Sequence, residues 1–590
     1  AEADPKRQIW CFLDEINTCD HLGLLTEIIC HQSCLGENLP YNLVLLAACN
    51  PYSLRKGKFS TSGLTEKLVL DEQSKLVYRV HPLPEALMDY VWDYGALNAK
   101  DEEAYTKRMV GDIREDLIDL FVDLLIMSQN FIKSNLGNKY CVSLRDINRC
   151  KYLAKWMTSM LKKKGLAKLK HSKCGDYNVR ATILALAHCY HSRLSSADDR
   201  KRYREAIAKI FQKKHRHLSE ENIEEVIRKE QLDILNRMEL EEGIAKNEAL
   251  RENVFVVLIS ILNRIPVFLV GKPGCSKSLS MQLIRSNLRG PDSKNKYFKT
   301  LPAVYVVSYQ GSESSTSEGI IKVFEKAKRY KEHNPDIIPV VLLDEIGLAE
   351  HSSFNPLKVL HSLLEPSTGD FPEMAVVGIS NWALDAAKMN RAVHLSRPEP
   401  NAEDLFETAK SIRDESAQKR GVETNEMQID RDDEQLKKLA KAYHDYQNQQ
   451  THANFHGLRD YYSLIKSMAM PPATQGGSSS LESGLRRNFG GIRSEMTSIM
   501  NTFMEALDVG QNPVRHPSAL DLIKDNLDDK HARHLMLITS GDSALNIIEK
   551  VLQESNKRHI ILLGSRFDDD ISEEYNYRIL SKIILCMEEG

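Results

Sequence analysis

Short apolar runs that end in a polar or acidic side chain recur along this chain of 590 residues. They read I-W-C-F-L-D-E-I-N (9–17), N-L-V-L-L-A-A-C-N (42–50), I-P-V-F-L-V (265–270), I-I-P-V-V-L-L-D-E-I (337–346) and M-A-V-V-G-I-S-N (374–381). A short, continuous apolar run is typical of a strand buried on both faces, as in a parallel sheet covered by helices. The pattern therefore predicts an α/β fold in which helices flank parallel sheets.

The run at 265–270 leads into a glycine-containing loop, G-K-P-G-C-S-K-S, and then into a segment with helical spacing. A strand, a glycine loop, a Lys-Ser pair and a helix in this order are the context of a phosphate-binding loop. Backbone N–H groups at the start of the helix would bind the phosphates. Ser276 stands where the usual pattern has its second glycine. The predicted nucleotide-binding residues are Gly271, Lys272, Pro273, Gly274, Cys275, Ser276, Lys277, Ser278 and Leu279.

Two carboxylates, Asp344 and Glu345, end the run at 337–346, and Asp344 follows Lys277 by 67 residues. In a P-loop ATPase the lysine reaches the β- and γ-phosphates, and an acidic strand end lies beside the loop. We predict that Ser278 and Asp344 hold Mg²⁺ and that Glu345 orients and deprotonates the attacking water. The predicted cofactors are therefore ATP and Mg²⁺.

Three polar residues further along the chain are candidates for contacting the γ-phosphate. Asn381 ends the run at 374–381, and Arg391 follows it by ten residues. Arg459 lies in F-H-G-L-R-D-Y-Y-S-L-I (455–465), which reads as the start of a helix. We predict that Asn381 is a first sensor and that Arg459 is a second sensor on a helical lid.

The same order of motifs occurs twice. D-E-I-N-T-C-D-H (14–21) matches D-E-I-G-L-A-E-H (344–351), and C-V-S-L-R-D-I-N-R-C (141–150) matches the segment at 455–465. The interval from the aspartate to the sensor asparagine is 36 residues in the first copy and 37 in the second. These matches predict an internal repeat of about 320 residues. The counterparts in the first copy are Asp14 for Mg²⁺, Glu15 as the base, Asn50 as first sensor and Arg145 as second sensor.

Both ends of the chain are predicted to cut through α/β modules. The phosphate loop of the first copy is expected upstream of Ala1, and 534–552 has a strand, turn and helix without a lysine in the turn, followed by a strand at 558–567. The predicted organisation is 1–110 for the C-terminal part of a first large subdomain, 111–245 for its helical lid and a spacer, 246–400 for a second large subdomain, 401–470 for its lid, 471–530 for a linker and helices, and 531–590 for the start of a third, degenerate module.

Composition narrows the possible functions. The net charge of -3 argues against nucleic-acid binding driven by bulk charge. No apolar run approaches the roughly 18 residues of a membrane-spanning helix, so no transmembrane segment is expected. The 11 cysteines include no CxxC pair, so we expect no zinc site, and a chain with reduced thiols is typical of the cytosol.

Repeated modules with these motifs resemble the dynein-like AAA+ ATPases. Within that group, E-I-N-T-C-D-H-L-G-L-L, A-A-C-N-P-Y-S-L-R-K, Y-R-V-H-P-L-P-E-A-L and L-L-G-S-R-F-D-D-D resemble the mysterin-type giant RING ubiquitin ligases, over essentially the whole chain. The resemblance implies the third and fourth AAA+ modules and the start of the fifth, each contacting its neighbours. It also implies a ubiquitin-conjugating enzyme and ubiquitin as partners of regions outside this segment, and a location in the cytosol and at lipid droplets.

Arg391 is predicted to act at the first site and not at its own. In AAA+ rings the nucleotide lies at a seam, and the next module supplies an arginine that stabilises charge on the transferred phosphoryl group. Arg391 should therefore point towards Glu15. The first copy has no clear counterpart of this arginine, and Lys75 or Arg79 is nearest.

The leading interpretation is an ATP-hydrolysing core segment of a giant ubiquitin ligase, in which the nucleotide state controls ring conformation and ligase activity. One alternative is a dynein- or midasin-like mechanochemical remodeller, although the stretch 466–533 lacks the sustained heptads of a dynein stalk. Another alternative is a scaffold that bound nucleotide stabilises without turnover. Ser276 and the degenerate third module favour this scaffold slightly, whereas the intact Asp-Glu pairs of both copies favour hydrolysis.

Overall fold

The chain divides into two compact units, residues 1–509 and 510–590. A computed structural model describes residues 4, 6–54, 64, 76–95, 97–111, 113, 115–136, 141–164, 176–214, 218–365, 372–420, 433–469, 480–492, 494–508, 518–528, 535, 537, 543–554 and 573–589.

The second module is built on a parallel sheet. The strands of the described residues are β1 (Ile9–Leu13), β2 (Ser33–Cys34), β3 (Glu37–Asn38), β4 (Leu43–Ala47), β5 (Val267–Val270), β6 (Val304–Gln310), β7 (Ile338–Asp344), β8 (Ala375–Ser380) and β9 (Val393–Ser396). The last five form one sheet in the spatial order β6-β7-β8-β5-β9. Because the strands are parallel, their carboxyl ends meet at one edge, which gathers Asp344, Asn381 and the loop that follows Val270. The predicted α/β fold is confirmed.

The first module contains an equivalent strand pair. β1 and β4 are parallel, with Leu13 opposite Ala47, as β7 and β8 are parallel with Leu343 opposite Gly378. In each pair one strand ends at an Asp-Glu dipeptide and the other leads to an asparagine. The repeat predicted from the motifs is therefore also a repeat of structure.

Helices flank both modules and make up the segments that we predicted to be their lids, called the first and second lid below. They are α1 (Leu22–Cys30), α2 (Glu85–Met88), α3 (Ala99–Met109), α4 (Glu115–Asn135), α5 (Leu144–Lys164), α6 (Tyr177–Cys189), α7 (Ala197–Lys213), α8 (Glu220–Asn236), α9 (Glu248–Asn263), α10 (Lys277–Asn287), α11 (Lys296–Lys299), α12 (Ser317–His333), α13 (Ile346–Ala349), α14 (Leu360–Leu363), α15 (Ala386–Met389), α16 (Ala402–Arg420), α17 (Asp433–Gln449), α18 (Leu458–Met468), α19 (Ser480–Asn488), α20 (Met496–Ala506), α21 (Ala519–Asp528), α22 (Ser543–Glu554) and α23 (Glu573–Glu589).

The first lid, α4–α8, shares one apolar core with α9 and with the sheet of the second module. Phe121, Tyr203 and Phe211 are among its fully buried side chains. The sequence S-E-E-N at 219–222 starts α8 with a reciprocal capping box, as its spacing predicts. Because the core is continuous, the first lid and the second module form a single packed body.

The second lid is longer than the sequence suggests. α16–α18 form a core with α19 and α20, in which Tyr443 stacks on Tyr461 at 4.7 Å between ring centroids and Phe489 and Phe503 are buried. The helices at 480–506 belong to the stretch 471–530 that we predicted to be linker and helices. Their apolar faces pack into the lid, because a hydrophobic face stabilises the fold only when it is buried. The segment 471–479 lies outside the described residues.

The second compact unit is described as three helices, α21–α23. α22 corresponds to the helix predicted after the lysine-free turn. The strands predicted near 534–540 and at 558–567 lie outside the described residues, apart from Leu535 and Leu537. No helix within the described ranges is both long enough and apolar enough to cross a membrane.

Candidate nucleotide sites

The predicted phosphate loop connects β5 to α10 and is fixed by neighbouring elements. The side chain of Asn253, on α9, donates a hydrogen bond to the Cys275 carbonyl at 2.9 Å. Gly274 has a φ of +92°, and a Cβ there would lie 2.8 Å from Cβ of Leu458 at the start of α18. Glycine is therefore needed at 274, both for its backbone conformation and for the close approach of the lid. The loop is packed between α9 and the second lid.

A buried ionic cluster supports the start of the loop. A Cβ at Gly271 would lie 2.7 Å from the Cβ of Arg397, and Arg397 forms an ion pair with Glu252. Arg200, from the first lid, pairs with the same carboxylate at 2.8 Å. Burial raises the pKa of Glu252, but the charges of Arg200 and Arg397 outweigh burial and lower that pKa to about 2. Two salt bridges thus connect the first lid to the phosphate loop: Arg200 of the lid pairs with Glu252, and Glu252 pairs with Arg397, which lies against Gly271.

Lys277, Asn381 and Glu345 form one hydrogen-bonded chain at the edge of the sheet. The Lys277 Nζ donates to the carbonyls of Gly271 at 2.5 Å and Lys272 at 2.9 Å, and to the Asn381 Oδ1 at 3.1 Å. The Asn381 Nδ2 donates to both Glu345 carboxylate oxygens, at 3.0 and 2.8 Å. The structure therefore brings together the predicted loop lysine, first sensor and base, which lie on three different elements.

Lys277 is buried among charged groups of its own module. Burial lowers the pKa of Lys277, the charge of Arg459 lowers it further, and Glu345 and Asp344 act in the opposite direction. Arg459 lies at the start of α18, beside Gly274. The predicted second sensor is thus close to the phosphate loop of its own module.

The remaining predicted residues of the second site lie along the same edge. Ser278 is exposed in the first turn of α10, and Leu279 packs against the main core. The Asp344 Oδ1 accepts a hydrogen bond from the Glu345 amide at 3.0 Å. Lys272 pairs with Glu399.

Three candidate site residues have a left-handed backbone. The φ angles are +53° for Glu15, +48° for Glu345 and +54° for Ser276. This conformation costs an L-residue roughly 1–2 kcal/mol, and such strain is concentrated at functional sites. Glu15 and Glu345 each follow the equivalent strand and precede a helical turn. The repeat therefore includes the backbone conformation of the predicted base.

A second cluster of predicted residues lies at the seam between the two modules, around a cavity of about 250 Å³. The cavity is lined by Asp14, Glu15, Ala48, Cys49, Asn50, Tyr78 and Arg145 of the first module and by Glu365, Ala387, Asn390 and Arg391 of the second. All four predicted residues of the first site thus share one cavity with the predicted arginine of the second module.

Arg391 points towards the first site, as predicted. Its Nη1 lies 3.6 Å from the Glu15 Oε1 and donates to the Ala387 carbonyl at 2.8 Å. The Nε lies 3.6 Å from the Glu365 Oε2, and Glu365 also pairs with Arg145 at 2.6 Å. Two arginines from opposite sides of the seam therefore converge on one cavity.

Backbone contacts from the first lid hold Arg391 in place. The Arg149 Nη1, on α5, donates to the carbonyls of Asn390 at 3.1 Å and Ala392 at 3.3 Å, on either side of Arg391. Arg149 is itself paired with Asp146 at 3.1 Å. The first lid therefore fixes the backbone of the arginine that enters the first site.

His361 also reaches the first site, and our sequence analysis did not identify it. Its Nδ1 lies 2.9 Å from the Glu15 Oε2. One signal was available, because a histidine follows the aspartate of the Asp-Glu pair by 17 residues in both copies, from Asp14 to His31 and from Asp344 to His361. Glu365, one helical turn after His361, was also missed, since it belongs to no recognisable motif.

Contacts from the second module lower the pKa of Glu15. Burial raises the pKa of Glu15, but the hydrogen bond and charge of His361, the charge of Arg391 and the Asn50 side chain together outweigh burial, so the pKa lies below its usual value. The ionised carboxylate is the form in which a base can accept a proton from water. Ionised Glu15 thus acts as a hydrogen-bond acceptor at the seam.

Arg79, one of the two residues considered as a finger of the first module, lies at the same seam. Its Nη2 is 3.8 Å from the buried Glu350 carboxylate, and its amide donates to the Asp385 Oδ1 at 3.0 Å. Arg79 therefore binds the second module. Lys75, the other residue considered, lies outside the described residues.

Two family models, both described as RNF213 AAA domain, match residues 243–404 and 524–590. The human "E3 ubiquitin-protein ligase RNF213" is 32% identical over 98% of this chain, and the mouse protein of that name is 33% identical over 100% of it. The zebrafish "E3 ubiquitin-protein ligase rnf213-beta" is 34% identical over 98%. The chain spans 12% of the length of each of these relatives.

Solved structures of AAA+ proteins overlap with part of the chain. The RuvB Holliday junction branch migration motor of Thermotoga maritima has 14% identity and a TM-score of 0.28, covering 53% of this chain and 88% of RuvB. PCH-2 of C. elegans has 17% identity and a TM-score of 0.26, covering 44% of this chain and 65% of PCH-2. The family models and the extended identity are more specific, and by them the chain is an AAA+ segment of the RNF213 (mysterin) type.

Proposed function

We propose that this segment binds and hydrolyses ATP at two sites, and that the nucleotide state controls the packing of its modules and the activity of a ubiquitin ligase to which it belongs. The observation that carries the proposal is the chain of hydrogen bonds from Lys277 through Asn381 to Glu345. A phosphate-binding lysine, a polar sensor and a base at one sheet edge are the groups that hydrolysis of a phosphoanhydride requires.

Each group has a distinct role in the proposed reaction at the second site. Lys277 binds the β- and γ-phosphates, exchanging its contacts with the loop carbonyls for contacts with phosphate oxygens. Asn381 holds Glu345 through both carboxylate oxygens, which orients them towards the attacking water. Glu345 then accepts the proton of that water, and Arg459 contributes positive charge from the lid.

The residues at this edge also suit Mg²⁺. Ser278 presents a hydroxyl in the first turn of α10 and Asp344 a carboxylate at the end of β7, and Mg²⁺ prefers such oxygen ligands together with water and phosphate. Among the described residues, no group of three or more His, Cys, Asp or Glu side chains could hold a metal without such additional ligands. When bound with ATP, Mg²⁺ would neutralise charge on the phosphates.

We propose the same chemistry for the first site, with Asp14, Glu15, Asn50 and Arg145 in the corresponding roles and Arg391 supplied by the second module. Regions outside the segment would bind the ubiquitin-conjugating enzyme and ubiquitin, and we propose a location in the cytosol and at lipid droplets. No feature of the described residues favours a dynein- or midasin-like remodeller.

The test is the ATPase rate of the full-length protein that contains this chain, with Glu15→Gln and Glu345→Gln introduced singly and together. Loss of a general base typically costs ~10²–10⁴ in rate, whereas the groups that bind ATP remain. We expect the double variant to lose at least about 10²-fold in rate while it retains bound ATP. Glu332→Gln, at an exposed position of α12, is the control.

One observation supports the alternative of a nucleotide-stabilised scaffold. Ser276 has a φ of +54° at the position where a P-loop usually has glycine, so the loop is strained at this residue. A strained loop is compatible with a site that retains its nucleotide. An unchanged ATPase rate in the double variant above, together with tightly bound ATP, would favour this scaffold over hydrolysis.

Ser276→Gly is expected to stabilise the second module by about 1 kcal/mol, because glycine adopts a positive φ without the steric cost of a Cβ. ATP affinity should rise modestly, about two- to fivefold, if the relaxed loop presents its amides more favourably. Thermal unfolding and an ATP titration measure the two effects. Ser276→Ala is the matched control, since it removes the hydroxyl but keeps the Cβ and should give no stabilisation.

A further inference from the structure

The base of the first site is held by a side chain of the other module. The His361 Nδ1 lies 2.9 Å from the Glu15 Oε2, and the two side chains are only 13% and 9% exposed. Because an ionised carboxylate offers acceptors alone, the Nδ1 proton of His361 donates to it. The hydrogen bond crosses the seam and is shielded from water.

The first and second sites hold their bases differently. In the second site, Asn381 of the same module binds both oxygens of Glu345. In the first site, His361 binds one oxygen of Glu15, and Arg391 lies 3.6 Å from the other. The first base therefore depends on the second module for its strongest contacts.

The segment that carries His361 begins at the base of the second site. Glu345 starts α13, and the chain then reaches α14, where His361 is located. Along this route Lys358 donates to the Thr18 hydroxyl at 2.8 Å, and Glu365 pairs with Arg145 at 2.6 Å. Glu350, in the same segment, pairs with Arg79. The segment from Glu345 to Glu365 therefore makes four side-chain contacts with the first module, through Glu350, Lys358, His361 and Glu365.

We propose that His361 is a positioning residue that acts across the seam, orienting the Glu15 carboxylate for proton transfer in the first site. By fixing Oε2, it leaves Oε1 directed to the cavity that contains Arg391. A base that is held at one oxygen retains less rotational freedom, and such orientation contributes to the rate of the chemical step and not to ATP binding. The inference rests on the proposed function, since it presupposes hydrolysis at the first site.

The experiment compares His361→Leu and His361→Asn in full-length protein that also carries Glu345→Gln, so that the remaining ATPase activity reports the first site. The asparagine Nδ2 can occupy nearly the position of the histidine Nδ1 and can donate to Glu15, whereas leucine cannot donate. We expect His361→Leu to lower kcat about tenfold with KM within twofold. His361→Asn should restore kcat to within about threefold of the parent.

Glu15→Gln tests whether the first site hydrolyses ATP, and His361→Leu tests whether His361 positions its base. Adding Glu15→Gln to the parent should abolish the remaining activity, and if it does not, the proposed first site is wrong. If Glu15→Gln abolishes activity but His361→Leu leaves kcat unchanged or raises it, His361 does not position the base. Equal losses in the leucine and asparagine variants, or a loss confined to KM, would likewise overturn the inference. Unfolding of each variant is followed in parallel, and rescue by asparagine distinguishes positioning from packing.

Discussion

Replacing Lys277 by alanine is expected to abolish ATP binding at the second module. The ammonium group of Lys277 lies within hydrogen-bonding distance of the loop carbonyls and Asn381, where the β- and γ-phosphates would bind. Hydrogen bonds to charged groups contribute about 1.5–3 kcal/mol each, so losing two of them weakens binding by about 10³-fold. Photolabelling with an azido-ATP, followed by identification of labelled peptides within 243–404, measures occupancy of this site alone.

Two comparisons make the Lys277→Ala experiment decisive. Lys299→Ala removes an exposed lysine of the same module and should leave labelling unchanged. Glu345→Gln should retain or increase labelling, because the groups that bind ATP remain while hydrolysis is lost. Undiminished labelling in Lys277→Ala, with a native melting temperature, would contradict the assignment of 271–279 as the nucleotide loop.

Replacing Arg391 by alanine is expected to slow hydrolysis at the first site by about 10³-fold, the lower end of the effect of an arginine that stabilises the transferred phosphoryl group. Its guanidinium lies at the seam cavity, 3.6 Å from Glu15. ATP binding at the second site should be unaffected, since Arg391 belongs to the second module but points away from its loop. The ATPase rate in a Glu345→Gln background and photolabelling of the second module measure the two quantities.

The Arg391 experiment has a control in the same module and a result that would refute it. Arg329→Ala removes an exposed arginine of α12 and should change neither rate nor labelling. Arg391→Lys keeps the charge but loses the planar fork of donors, so we expect partial activity. A loss of labelling at the second site with normal activity at the first would place the role of Arg391 in its own module.

The strands that carry the candidate site motifs could be predicted closely, because each is a continuous apolar run that ends at a polar residue. The run at 265–270 became β5 (Val267–Val270), and the run at 374–381 became β8 (Ala375–Ser380). β6 and β9 were not predicted. β6 lies at the edge of the sheet, where only one of its seven residues is fully buried, and the four residues of β9 are too few to show a period. Sheet edges and short strands are where sequence patterns are weakest.

The residues of the candidate sites also fall into two groups, those that a sequence motif predicts and those that only the packing of the modules brings to the site. Motif spacing identified Lys277, Glu345 and Asn381, which the fold brings into direct contact. It also predicted the direction of Arg391, because the repeat fixes which module faces which site. His361 and Arg149 could not be predicted as seam residues, since their contacts depend on how two modules pack and not on any local pattern.

One helix of the predicted first lid, α5, carries two arginines that act at the same seam. Arg145, which lines the cavity, and Arg149, which binds the backbone on both sides of Arg391, are four residues apart and therefore lie on the same face of α5. Because this helix packs in one core with the second module, we expect Arg145 and the backbone around Arg391 to move together if the seam opens. If the first site hydrolyses ATP as proposed, the predicted second sensor and the predicted finger would leave the cavity in one concerted step.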